Sequence, residues 1–291
     1  MLGGLTVDQG ERYGSGREPR RRQTAARRHR LGQHFLKDPR VIEKILVAFA
    51  PGPGDCVLEV GPGHGALTEP LALTVATFVA VECDASLAVA LQRRYQPETG
   101  VTILKGDILE IDLEAELTAA AGGPARFRLL GNLPYSIATP LLVRTLARAD
   151  LFSDMTVMVQ REVARRMLAR PGSADYGPLA VLVALRAAGA HLVLDAPPGA
   201  FAPPPEVHSS VVQLDLPAHA GADDTDMGIA LARRAFLQRR KKLVNTLGGT
   251  SPHRISGAMA SLGMATDARP EQVAPEDYVR LARCLRQENI Q

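Results

Sequence analysis

Short apolar segments recur along the first two thirds of this chain, with helical patterns between them. Cys56–Val60 (CVLEV) reads as a buried strand, and Thr77–Glu82, Val101–Leu104, Phe127–Leu130 and Thr156–Val159 repeat it. Ala66–Leu73, Ser86–Tyr95 and Pro140–Ala147 read as the intervening helices. Parallel strands need a crossover that passes back over the sheet, and a helix is its usual form. The alternation therefore demands an α/β fold with a mostly parallel sheet covered on both faces. His191–Leu194 and Ser210–Leu216 read as two later strands separated by a Pro-rich turn.

The pattern changes after Leu216. Pro217–Asp226 (PAHAGADDTD) reads as a linker, and only helical periodicity follows. Ile229, Ala232, Phe236, Leu243 and Leu247 can share one face of a helix spanning Ile229–Leu247. The expected organisation is a disordered basic arm over residues 1–29, an α/β domain over 30–217, and a small helical domain over 222–291. The arm is expected from its charge: residues 1–30 carry eight arginines against three acidic residues. The net charge is only +3, so the rest of the chain is slightly acidic and any polyanion-binding surface there must come from local clusters. Cys56, Cys83 and Cys284 have neither zinc-site nor disulfide spacing, so no metal is expected. No apolar run reaches the roughly 18 residues that span a bilayer. With no secretory pattern at the N-terminus, a cytoplasmic protein without membrane contact is expected.

The first strand runs into Gly61-Pro62-Gly63-His64-Gly65 and then toward a helix. Glycines there let the backbone take positive φ and approach a ligand closely. Glu82 ends the second strand, where a carboxylate can accept both hydroxyls of a ribose. Asp107 follows the third strand and can accept from an adenine amino group. These residues alone also fit a nicotinamide dehydrogenase, because Gly61, Gly63 and Ala66 match the dinucleotide spacing.

Asn132-Leu133-Pro134-Tyr135, after the fourth strand, is more specific. The N6 amine of adenine is a poor nucleophile because its lone pair is delocalised into the ring. Two acceptors aimed at its N–H bonds favour the tetrahedral nitrogen and the positive charge of the transition state. The Asn132 side-chain oxygen and the Leu133 carbonyl are candidates for that pair. Pro134 fixes the backbone angle, and Tyr135 offers a face for an extruded base. No strong general base is required, since the amine becomes acidic only after attack on the methyl.

With these motifs the chain resembles the ribosomal RNA adenine dimethyltransferase family. The resemblance runs from Arg30 to Arg286 and includes Leu31–Leu36 (LGQHFL), Glu59–Thr68 (EVGPGHGALT), Asn132–Leu142 (NLPYSIATPLL), Phe201–Val212 (FAPPPEVHSSVV) and Arg234–Leu247 (RAFLQRRKKLVNTL). It implies a seven-stranded, Rossmann-like class I methyltransferase using S-adenosyl-L-methionine and releasing S-adenosyl-L-homocysteine. It also implies N6,N6-dimethylation of two adjacent adenines near the 3′ end of small-subunit rRNA, within an assembling subunit. By position, Gln33, His34 and Leu36 match the N-terminal cofactor contacts, Gly61 and Gly63 the methionine end, Glu82 the ribose, Asp107 the adenine and Asn132 the reaction centre. Phe201 matches a second stacking wall opposite Tyr135. His34 and Ser136 stand where family members often have Asn.

Arg233, Arg234, Arg239, Arg240, Lys241 and Lys242 form a cationic run expected on one helix, and Arg161, Arg165 and Arg166 form another. Both are candidate phosphate contacts. Aromatic residues are only 4%, so recognition by shape and phosphate, with one or two flipped bases, is expected over stacking along a strand. The expected enzyme is a monomer. Competing readings are an assembly factor acting mainly by binding, a sister methyltransferase of large-subunit rRNA, and the dehydrogenase.

Overall fold

The computed structural model describes residues 33–95, 100–218 and 223–287. The basic arm expected at 1–29 lies outside them. The chain divides into two compact units, 1–33 and 34–291, and the architecture below is that of the second.

Seven strands form one sheet: β2 (Cys56–Val60), β3 (Thr77–Glu82), β4 (Val101–Lys105), β5 (Phe127–Asn132), β6 (Phe152–Gln160), β7 (Gly189–Ala196) and β9 (Ser209–Asp215). Their order is β4-β3-β2-β5-β6-β9-β7. The first five run parallel, while β9 and β7 are antiparallel additions. A separate two-stranded ribbon pairs β1 (Phe35–Leu36) with β8 (Phe201–Ala202).

Every strand expected from the apolar pattern is present, several of them longer. The period of two sorts the buried residues by face. Leu58, Val79, Leu129 and Val157 pack into one core with α5 (Ala138–Ala147). Val57, Phe78, Ala80 and Leu130 pack into the other with α1 (Pro39–Phe49). The Asp38 side chain accepts from Arg40 N at 2.9 Å to start α1. The helix expected over Ala66–Leu73 shortens to α2 (Thr68–Leu71), because the Gly-rich turn occupies the preceding residues. α3 (Ala85–Tyr95) and α4 (Leu113–Ala121) complete the crossovers, followed beyond β6 by α6 (Arg161–Met167) and α7 (Pro178–Arg186).

The C-terminal reading needs two corrections. Helix α8 spans Asp223–Phe236, so the end of the expected linker is already helical. The single helix expected over Ile229–Leu247 stops at Phe236, and a succession of tight turns carries Leu237–Lys242. Leu237 N and Lys241 N bond three residues back, to Arg234 O and Gln238 O, and Leu243 N is captured by Ala268 O at 2.8 Å. A helix with four consecutive cations would also suffer like-charge repulsion. Leu243 and Leu247 still enter the same core as Ala232, together with α9 (Pro252–Ser261) and α10 (Pro275–Gln287). Gly228 lets α8 approach α10, since a Cβ there would sit 2.7 Å from Val279 Cγ2. Tyr176 and Val181 join this core, which ties the C-terminal helices to the sheet domain. No helix among the described residues is long and apolar enough to cross a membrane.

Arg128 binds three elements together at the end of the sheet opposite the glycine turn. Its guanidinium donates to Asp154 and to Asp55, both at 2.7 Å, and to the carbonyls of Phe49 and Ala50, while lying 4.3 Å from the Phe49 ring centre. Removing the cation leaves two poorly solvated carboxylates without compensation. Arg128→Met should lower the unfolding free energy by roughly 2–3 kcal/mol, read from urea midpoints. A change within error would mean water replaces the guanidinium at no cost.

Candidate active site

All five parallel strands end on one rim of the sheet, and the turns after β2, β4 and β5 are each tied to a neighbouring strand. Gly61 N donates to Val81 O, Gly106 N to Glu82 O and Leu133 N to Met158 O, each at 3.0 Å. Gly61 and Gly63 have φ of 68° and 59°, the left-handed region that favours glycine.

Glu82 closes this turn. It is only 2% exposed, and its two oxygens accept the backbone N–H groups of Gly63 at 3.0 Å and Asp84 at 2.8 Å. Oε1 also receives the Cys83 thiol, while Oε2 keeps a lone pair for a further donor. Cys83 Sγ lies 3.6 Å from Glu82 Oε1, and burial beside that charge pushes the thiol up to about 11, so the sulfur is no nucleophile. Asp107 is exposed and caps its own turn, accepting Leu109 N at 2.9 Å through Oδ1. The turn occupies Oδ1 and leaves Oδ2 as a further acceptor.

The N-terminal segment lies across the glycine turn. The Phe35 ring lies 4.3 Å from the His64 ring, tilted by 53°, and a Cβ on Gly63 would come within 2.8 Å of Phe35. Phe35, Leu36, Gly61, Gly63, His64 and Asn132 line a narrow cleft of about 30 Å³. Asn132 donates through Nδ2 to His34 O at 2.9 Å, which turns Oδ1 into the end left for a substrate donor. His34 Nδ1 lies 2.9 Å from Pro203 O, an acceptor, so Nδ1 carries the proton. The Tyr135 ring lies 5.5 Å from His34, and its hydroxyl shares a 2.9 Å bond with Ser209. Burial raises the Tyr135 phenol above its ordinary value. Leu133 is buried as a whole residue, side chain and backbone together.

Residues 24–287 match the family model described as ribosomal RNA adenine dimethylase. The chain belongs to the ribosomal RNA adenine dimethylase family. A relative named ribosomal RNA small subunit methyltransferase A from Methylibium petroleiphilum is 42% identical, covering 89% of this chain and 96% of its own. One of the same name from Verminephrobacter eiseniae is 40% identical, covering 88% of each. Among solved structures, a dimethyladenosine transferase from Plasmodium falciparum superposes with a TM-score of 0.72 at 24% identity, covering 85% of this chain and 96% of that one. The 23S rRNA methyltransferase ErmE gives 0.63 at 25% identity, covering 87% and 100%. The seven-stranded class I methyltransferase fold is thereby established, and the dehydrogenase reading is set aside.

Within this dimethylase site two expectations change. Phe201 is 1% exposed, paired with Leu36 in the ribbon and packed in the α1-side core. It supports the N-terminal segment from beneath, and a stacking wall opposite Tyr135 would require that ring to be uncovered. Arg239 pairs with Glu271 at 2.8 Å and reaches Ser173 O at 3.3 Å, so its guanidinium clamps the turn after α8 while the side chain stays 40% exposed. Arg234 bonds Gly248 O, whereas Arg240, Lys241 and Lys242 are exposed. Arg161 and Arg165 line a cleft beside β9. Gln33 belongs to the first unit.

Ser209 and Glu59 are site residues that the sequence reading passed over. Glu59, 2% exposed in β2, accepts from Thr68 Oγ1 at 2.6 Å and borders the glycine cleft. A charged residue inside an apolar strand was its only signal. Burial lifts its carboxyl from 4.5 to about 7, opposed by the Thr68 bond and assisted by Glu82. Between those values the folded chain holds a proton that the unfolded chain has lost, so stability falls as pH rises through the window and levels above it. Glu59→Gln keeps the Thr68 bond and cannot ionise. Thermal unfolding should find it level with the parent near about pH 5 and more stable by about 3 kcal/mol at about pH 8. A pH-independent difference would show that Glu59 does not titrate in this range.

Proposed function

We propose that this chain transfers two methyl groups from S-adenosyl-L-methionine to the N6 of each of two adjacent adenines near the 3′ end of small-subunit (16S) rRNA, during late assembly of the subunit in the cytoplasm. The observation that carries the reading is the Asn132 amide, oriented by the His34 carbonyl and set beside Tyr135 at the mouth of the glycine cleft.

The residues present fit the cofactor's chemistry. Glu82 retains acceptor capacity for ribose hydroxyls, Asp107 Oδ2 can accept an adenine amine, and positive-φ glycines admit a ligand close to the backbone. The bound cofactor supplies an electrophilic methyl on a sulfonium. The protein's own part is positional. Asn132 Oδ1 and the Leu133 carbonyl accept the amine's N–H bonds and favour a tetrahedral nitrogen, and Tyr135 stacks on the extruded base. Exclusion of water by the Phe35 segment strengthens those polar contacts. The sheet body, residues 30–217, carries the chemistry, while the exposed cations of 222–291, chiefly Arg240, Lys241 and Lys242, hold rRNA phosphates as a monomer docks.

The likeness to ErmE favours a second reading, in which large-subunit rRNA is the substrate. The identity of 40–42% to relatives named for the small subunit weighs against it. Incubation with radiolabelled-methyl cofactor and unmethylated small subunits should label two adjacent adenines as N6,N6-dimethyladenosine. Label confined to large subunits would overturn the choice of substrate. Asn132→Ala should lower kcat by at least about 100-fold while cofactor affinity, measured by calorimetry, stays within about threefold. Equal loss of both would make Asn132 chiefly a cofactor ligand. Replacing Lys241 and Lys242 by Gln should lower the slope of log affinity against log salt by about one per lysine, and an unchanged slope would point those side chains away from RNA.

A further inference from the structure

A larger cleft lies behind the catalytic rim. It encloses about 410 Å³ between α6 and the β7–β9 edge, within the roughly 300–1,000 Å³ of small-molecule sites. Gln160, the end of β6, pairs with Ser209, and Arg161 N donates to His208 O at 3.0 Å, so α6 starts directly on the rim. Consecutive residues of a strand face opposite ways. Ser209 bonds Tyr135, while Ser210 bonds Asp195 at 2.5 Å and lines the cleft. The cleft and the Tyr135 site are therefore back to back across the first residues of β9.

Its lining is chemically mixed in a way that narrows the ligand. Arg161 and Arg165, four apart on α6, present two cations from one helix face. Leu192 is 49% exposed although it stands in a sheet strand, and with Leu168 and Ala164 it makes an apolar floor. Asp195 and Asp175 place carboxylates in the same space. Those carboxylates disfavour a bare anion such as free phosphate. The arginines favour a phosphodiester, the carboxylates a hydrogen-bond donor such as an exocyclic amine, and the floor a flat ring. A nucleotide with an amino-bearing base carries all three.

We infer that this cleft is a subsite for a nucleotide flanking the methylated adenine, with its phosphodiester at Arg161 and Arg165 and its base between Leu192 and Asp195. The inference rests on the RNA methyltransferase reading and deepens it: the enzyme reads sequence beside its target, through a second nucleotide held on the far side of β9.

The test measures methyl transfer to small subunits whose rRNA carries single substitutions within two positions of the target. Unaltered protein should lose about tenfold or more in kcat/KM when one particular flanking nucleotide becomes uridine, which lacks the amine. Asp195→Asn can still accept from Ser210, and Leu192→Ser alters an exposed side chain, so both should fold. Each should shrink that discrimination to less than about threefold while leaving discrimination at the other positions intact. The double variant Arg161→Gln with Arg165→Gln should instead weaken all substrates alike and reduce the salt dependence. Methyl transfer that is indifferent to every flanking base, or a preference untouched by Asp195→Asn and Leu192→Ser, would overturn the subsite. Failure of unaltered protein to methylate any small-subunit RNA would instead overturn the parent reading.

Discussion

The parallel pairing of β2 with β3 on one side and β5 on the other is the constraint on which the rest of the molecule depends. Parallel neighbours must end on the same rim, so Gly61, Glu82, Asp107, Asn132 and Arg161 are gathered although the last lies 100 positions after the first. The crossover helices bury both faces and leave only that rim for polar chemistry. The backbone bonds from Gly61, Gly106 and Leu133 to neighbouring strands extend the ladder one residue past its regular end. Each functional turn is thus held by the sheet.

A second layer of order comes from the two-residue strand β1. One short segment supplies the carbonyl that orients Asn132, the ring that covers Gly63 and the imidazole beside Tyr135. Phe201 fixes that segment through the β1–β8 ribbon and by filling the core below it. The glycine cleft and the surroundings of Tyr135 therefore share one structural support, and a displacement of β1 disturbs both.

Strand positions were legible in the sequence because an apolar run followed by glycine or by a single acid has few other uses. Cys56–Val60 before Gly61, and Thr77–Val81 before Glu82, are clear for that reason. Helix α1 was missed even though Asp38-Pro39 is a strong start signal, since its apolar residues neighbour no obvious strand. The break after Phe236 contains neither glycine nor proline; it is imposed by the Arg239–Glu271 pair and by the capture of Leu243, contacts made with residues near 270. Phe201 could not be assigned from its type, because a core aromatic and a stacking aromatic look alike until burial is known. The Tyr135–Ser209 bond joins residues 74 apart and leaves no local trace.

Tyr176 has a consequence for how the chain comes to be folded. Its ring is buried among the C-terminal helices and its hydroxyl donates to Val273 O at 2.8 Å, a partner 97 residues downstream. Arg186, 4% exposed, likewise pairs with Asp226. During synthesis, helix α7 emerges well before the helices that cover it. At the pace of translation its apolar face stays wet for several seconds at least. That packing step therefore waits for the later helices to be made, and a nascent chain stalled before α10 would display Tyr176, Ala180 and Val181 to any chaperone within reach.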